Sequence, residues 1–143
     1  MKLTKLKNNS LVPVNINKYL IDWNKAPSKG QLELQGFLVK YWKSDLVLAE
    51  LRIPGSLLRV DILNATKNII FEFDGSSSSG GSFHNQFTPF FHKNRTGYLN
   101  SIKRDYVKED WAARNGYTLI RIESADLSNL SYDYFKEKHS ILL

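Results

Sequence analysis

The spacing of apolar positions divides the chain into a polar leading segment and seven regular elements. Leu34, Phe37, Leu38, Tyr41 and Trp42 recur at helical intervals, and Ser28 with Gln31 three residues on supplies a capping-box signal ahead of them, so a helix is predicted over 28–42. Three runs of strand length follow, over 46–53, 58–63 and 68–73, separated by Pro54-Gly55 and the polar stretch 64–67. Connections this short favour hairpins, and the three strands are expected to form an antiparallel meander. Leu99, Ile102 and Tyr106 form one stripe of a second helix over 98–115, with Gly116 where a left-handed C-cap residue belongs. A strand over 117–122 and a weaker helix over 126–138 complete the pattern.

The resulting order is α-β-β-β-α-β-α. Three consecutive strands and a helical crossover to a fourth predict a mixed four-stranded sheet flanked by helices, an α/β (α+β) or three-layer α/β/α domain. Residues 1–26 carry Lys2, Lys5, Lys7, Pro13 and several asparagines, and read as a basic, irregular arm that wraps the domain or contacts a partner. The domain itself is expected over 27–143. Within it 75–97 reads as a loop, and its segment SSSSGGS, residues 76–82, has the composition of a flexible linker.

Composition narrows the classes. A length of 143 residues suits one domain. The longest apolar run is the four residues Leu46 to Ala49, far short of the roughly 20 a membrane helix needs. No apolar segment follows the early lysines as in a secretory signal, so a cytoplasmic location and no membrane partner are expected. The absence of cysteine excludes disulfide scaffolds, thiolate zinc sites, Fe–S clusters and cysteine nucleophiles, leaving His, Asp and Glu as metal ligands. A net charge of +6 suits an anionic partner such as nucleic acid.

The acids on the strands carry the chemistry. Alternate strand residues share a face, which places Arg59 with Asp61 on one strand and Glu72 with Asp74 on the next, Phe71 and Phe73 taking the opposite side. A hairpin then gathers Asp61, Glu72 and Asp74 at one end of the sheet, where like charges repel unless a cation or a proton is shared. A divalent ion on carboxylate oxygens, Mg²⁺ or Mn²⁺, is one solution, and it can activate water and neutralise a scissile phosphate. An acidic strand end left in solvent is the other. His84 and His92 are candidate bases or ligands, or else solvated loop histidines. Arg104 with Lys108 at i,i+4 and Asp105 with Lys108 at i,i+3 make either a phosphate-holding helix face or a solvated one. Trp42, Trp111, Phe37, Phe71 and Phe73 read as core, and Phe83, Phe87, Phe90 and Phe91 as loop anchors or base wedges.

Taken in order, these residues carry a resemblance. Arg59-Val60-Asp61, then Ile69-Ile70-Phe71-Glu72-Phe73-Asp74-Gly75, His84, and Pro89-Phe90-Phe91-His92-Lys93-Asn94 form its first half. Lys103-Arg104-Asp105 with Lys108 and Trp111, and Asn115-Gly116-Tyr117 before Leu119-Ile120-Arg121-Ile122, form its second. The series resembles the nuclease core of the phage-borne homing endonucleases related to very-short-patch repair endonucleases, a branch of the PD-(D/E)XK nuclease superfamily. It spans about 28–122. The resemblance implies metal-dependent hydrolysis of DNA phosphodiesters in a bacterial or phage-infected cell, with Mg²⁺ or Mn²⁺ held by Asp61, Glu72 and Asp74. It also implies catalytic roles for His84, His92, Asp105 and Lys108, and DNA contacts from Arg59, Lys93, Arg95, Lys103, Arg104 and Lys108. Glu33 on the first helix and Glu50 on the first strand are further candidate acids.

A homodimer or a recognition-domain partner is expected to supply site recognition. The alternative function is a DNA-binding module of the same fold whose Ser/Gly-rich loop leaves catalysis impaired. A third is a structural or interaction protein that keeps the fold and uses its acids only as surface charge.

Overall fold

The computed structural model of the chain describes residues 1–75 and 95–143, the side chains of 95–98 and 101 apart. Strands β1 (Lys2–Thr4) and β2 (Leu11–Pro13) pair as a small antiparallel hairpin, followed by a 3₁₀ turn, Ile16–Lys18, and helix α1 (Lys29–Trp42). Strands β3 (Val47–Arg52), β4 (Arg59–Asn64) and β5 (Ile69–Asp74) come next, then helix α2 (Arg95–Arg114), strand β6 (Thr118–Glu123), a 3₁₀ segment Ser124–Asn129 and helix α3 (Tyr132–His139). The main sheet has the order β3-β4-β5-β6, its first two pairings antiparallel and β5–β6 parallel. The expected meander and crossover both form.

Two apolar clusters sandwich this sheet. On one face Leu34, Leu38 and Trp42 of α1 pack with Ile62, Phe71, Ile122 and Phe135 of α3. Trp42 and Phe71 stack at 5.3 Å, and Phe71 meets the Phe135 ring at 5.4 Å. On the other face Trp111 and Ala112 of α2 pack with Leu48, Leu51, Val60, Leu63 and Ile70. Fully burying a side chain of this size contributes roughly 1.5–3 kcal/mol, so each face fixes its helices independently.

Local signals set the element ends. The Ser28 hydroxyl accepts from the Gln31 N–H at 3.2 Å and starts α1. Gly116 ends α2 at φ 79°, where a Cβ-bearing residue is strained, and the Tyr117 N–H returns to the Ala112 carbonyl at 2.9 Å.

Three expectations are corrected. Residues 1–26 are not an irregular arm: they hold a hairpin whose Leu3 is 2% exposed inside the α2-side cluster. Leu99 and Tyr106 are exposed, so α2 reaches the core through Trp111 and Ala112 rather than through that stripe. The helix expected over 126–138 is split at Leu130, whose backbone is extended (φ −63°, ψ 119°), and Ser131 then caps α3 by accepting from the Tyr134 N–H.

Asp126 ties these last elements together, accepting from the Glu123 N–H at 2.8 Å, from the Tyr134 hydroxyl at 2.5 Å and from Lys138 Nζ at 2.8 Å. Burial alone would raise its carboxyl, but the hydrogen bonds from Lys138, Tyr134 and Glu123 outweigh it and hold it below the usual range. A carboxylate depressed in the fold stabilises above its unfolded pKa of about 3.9, and that contribution disappears as pH falls through the folded value. Asp126→Asn is therefore expected to lower the melting temperature at pH 7 and to converge on wild type near pH 2; an equal loss at both would show the charge to be irrelevant.

Candidate active site

The β4–β5 ladder pairs Asn64 with Ile69, Leu63 with Ile70 and Ile62 with Phe71, and then stops. Asp61 and Glu72 are the next residues along the two strands, and there side chains take over the bonding. Glu72 Oε2 accepts from the Asp61 N–H at 3.0 Å, and Asp61 Oδ2 accepts from the Phe73 N–H at 2.7 Å. Each carboxylate satisfies a main-chain donor that the ladder leaves behind. Phe73 is held in turn by α1: a Cβ on Gly30 would lie 2.2 Å from its ring, so only glycine lets the first turn of the helix approach so closely.

Strand β3 contributes a second irregularity. Ala49 pairs with Ile62 and Leu51 with Val60, which sets Glu50 opposite Asp61. Glu50 has φ 53°, a left-handed conformation costing a non-glycine residue about 1–3 kcal/mol. Facing changes there on both strands. Val47 and Ile62 belong to the α1-side core, while Leu51 and Val60 join Leu48 and Leu63 on the α2 side. The alternation that put Arg59 and Asp61 on one face is broken at Asp61 itself.

The electrostatics follow from this crowding. Burial first, then the charge of Glu72, pushes the Asp61 carboxyl up to about 8; a side-chain hydrogen bond with Glu72 and the charge of Glu50 add to the rise, and the Phe73 N–H opposes it. Glu72, 5% exposed, is partnered by Lys108, whose Nζ donates to Oε1 at 2.6 Å. Arg121 is the β6 register partner of Glu72 and reaches across to α2, 3.6 Å from the Asp105 carboxylate and 3.3 Å from that of Glu109. Asp61, Glu72, Phe73, Asp74, Asp105, Lys108 and Arg121 line one cleft of about 220 Å³, four carboxylates against two cations.

Among the described residues no three His, Asp or Glu side chains stand in a metal-ligating group. Both oxygens of Glu72 already accept hydrogen bonds. The donor chemistry nevertheless suits a hard cation: two crowded carboxylates share the cleft, and beside them Glu50 Oε2 is buried with no hydrogen-bond partner. Mg²⁺ is commonly held by one or two carboxylates together with substrate phosphate oxygens, so Asp61 and Glu72 suffice on the protein side.

The structure thus brings Asp61, Glu72, Asp74, Asp105 and Lys108 together. Arg59 is exposed at the start of β4, and Lys103 and Arg104 are exposed on α2, lining a separate cleft with Leu6, Lys7, Leu58 and Tyr106. Glu33 is exposed on α1. His84, His92, Lys93, and with them Phe83, Phe87, Phe90 and Phe91, lie outside the described residues, as does the Arg95 side chain. Arg121 carried a signal that sequence reasoning passed over: an arginine between the apolar Ile120 and Ile122 of a buried strand needs carboxylate partners.

No family model matches the chain, and no solved structure matches it. Over 100 residues, 66% of its length, the chain is 29% identical to the uncharacterized protein 033L of Invertebrate iridescent virus 3, of which that match covers 48%, about half.

Proposed function

We propose that the chain is a metal-dependent DNA endonuclease with a PD-(D/E)XK-like core, of the kind found in phage-borne homing endonucleases and very-short-patch repair enzymes. The observation that carries this reading is the buried Asp61–Glu72 pair at the splayed end of β4 and β5, in a cleft with four carboxylates and two cations on a chain of net charge +6. Asp61 and Glu72 would hold Mg²⁺ or Mn²⁺, which supplies an acidified water and neutralises charge on the phosphate. The Phe73 N–H orients Asp61, and Lys108 fixes the rotamer of Glu72 while balancing its charge. Arg121 holds Asp105 at the opposite wall of the cleft. Lys103 and Arg104 offer phosphate contacts on the exposed side of α2.

One observation favours a second reading, a DNA-binding module without catalysis: no three-acid metal group stands among the described residues, and Lys108 already occupies Glu72. Incubation of supercoiled plasmid and branched DNA with Mg²⁺, Mn²⁺ or EDTA separates the two. The endonuclease cuts with metal and not in EDTA, and Asp61→Ala is inactive; DNA retarded in a gel but uncut by either protein supports the binding module.

A further inference from the structure

On the other side of Glu50 from Asp61 lies a second, unassigned cleft of about 240 Å³, lined by Lys18, Tyr19, Glu50, Arg52 and Arg59. Its cations are brought together against their own repulsion. Arg52 and Arg59 are direct register partners on β3 and β4, and like charges facing each other across a pair of strands destabilise it. Lys18 is added by the leading segment, which is stitched to the edge of β3. The Ala49 N–H donates to the Tyr19 carbonyl at 2.8 Å, the Ile21 N–H to the Val47 carbonyl at 3.1 Å, and Leu20 bridges to Leu48. This docking ends just before Glu50 and leaves the 3₁₀ turn, with Lys18 Nζ 5.6 Å from the Tyr19 ring centre, at the mouth of the cleft. The Arg52 Nε donates to the Ser56 carbonyl at 2.8 Å, which orients its guanidinium.

Nothing within the fold neutralises these charges. Among the described residues Lys18, Arg52 and Arg59 make no ion pair with a carboxylate, and Glu50 Oε2, the nearest acid oxygen in the lining, has no hydrogen-bond partner. Three exposed cations facing one carboxylate leave a local excess of positive charge that packing does not require. Because Glu50 lines this cleft and stands opposite Asp61, the cations adjoin the acidic cleft across one strand.

We propose that Lys18, Arg52 and Arg59, with the Tyr19 ring, form a cradle for a backbone phosphate of the DNA strand that enters the Asp61–Glu72 cleft. The inference rests on the DNA reading above and adds to it a second contact surface, contributed largely by the leading segment and the β3–β4 hairpin, remote from the α2 cations. Its role is to fix the register of the strand relative to the acids, as phosphate contacts do without reading sequence.

The test is duplex binding by fluorescence anisotropy across a salt series, in EDTA and again with Ca²⁺, using wild type, Lys18→Gln/Arg52→Gln/Arg59→Gln, and a charge-matched control, Lys40→Gln/Lys43→Gln/Lys136→Gln, on the helices of the other face. Each lost phosphate contact lowers the salt slope by about 0.9, so the cradle variant is expected to lose about 2–3 in slope and at least about 10-fold in affinity at moderate salt, with the control close to wild type. Should the triple variant melt below the assay temperature, Arg59→Gln alone, which removes no hydrogen bond, is expected to lose about 0.9 in slope. A cradle variant that binds like wild type while Lys103→Gln/Arg104→Gln weakens binding overturns the cradle and leaves the DNA reading intact. Equal losses in variant and control also overturn it, and a wild type that binds no DNA overturns both.

Discussion

Asp61→Asn is expected to abolish metal-dependent cleavage, by at least about 10²-fold, while making the metal-free protein more stable at pH 8. The two effects have one cause. Asparagine keeps an oxygen for the Phe73 N–H but removes the charge that faces Glu72 and Glu50. In the folded state the Asp61 carboxyl is pushed up to about 8 by burial and by Glu72, against about 3.9 in the unfolded chain. Between those values the folded protein binds more protons than the unfolded one, so its stability falls as pH rises, by at most about 1.4 kcal/mol per unit for one proton. A divalent ion replaces the proton, and Mg²⁺ is expected to stabilise wild type at pH 8 and to have no such effect on Asp61→Asn. Urea denaturation at pH 5 and 8, with and without Mg²⁺, reads all of this. A variant with the same pH slope and the same Mg²⁺ response as wild type would remove Asp61 from the metal site and from the centre of the cluster.

The same residue shows where sequence reasoning stops. That Asp61, Glu72 and Asp74 gather at one sheet end follows from hairpin connectivity and strand period, both written in local sequence. How they gather does not. The reversal of facing at Glu50 and Asp61 depends on a left-handed residue inside a strand, and the glutamate there gives no local warning, since that conformation is favoured by glycine and asparagine. Only the tertiary setting holds it, with Val60 and Leu51 drawn into the α2-side core. The exchange of backbone bonds for carboxylates is equally non-local, because it needs β4 and β5 to part just past Ile62 and Phe71.

Fold elements show a parallel division. Helix α1 was legible because cap, stripe and core agree at Ser28, Leu34, Leu38 and Trp42. Helix α2 was legible in extent yet not in facing: Leu99 and Tyr106 repeat at helical spacing but point outward, and the inner contact is made by Trp111 and Ala112 near the C-terminal end. Periodicity finds a helix, while the surface it covers is decided by what the rest of the chain leaves uncovered. Here the leading hairpin covers it, which a polar, asparagine-rich composition concealed.

Trp111→Ala is accordingly expected to be the most destabilising single core change on the α2 side, at about 3–5 kcal/mol. The indole is fully buried among Leu3, Leu48, Leu51 and Val60, and its Nε1–H donates to the Thr4 carbonyl at 2.7 Å. Truncation therefore opens a cavity between sheet and helix and leaves a β1 carbonyl without its donor. Neighbouring bonds partly hold the hairpin: the Thr4 N–H donates to Asn115 Oδ1 at 3.0 Å, and Arg114 reaches the Asn8 carbonyl at 2.9 Å. Trp111→Phe separates the two contributions, since it keeps most of the apolar contact and loses the hydrogen bond, at about 1–2 kcal/mol. Against a total stability of about 5–15 kcal/mol, the alanine variant is expected to melt roughly 10–20 °C below wild type and the phenylalanine variant only a few degrees below. In the phenylalanine variant, amide exchange at β1 and β2 should quicken before that of β4 and β5, because the sheet retains its α1-side core. If exchange quickens uniformly instead, the hairpin is part of one cooperative unit with the sheet, and the coupling between leading segment and catalytic cleft is tighter than the Thr4–Trp111 bond alone provides.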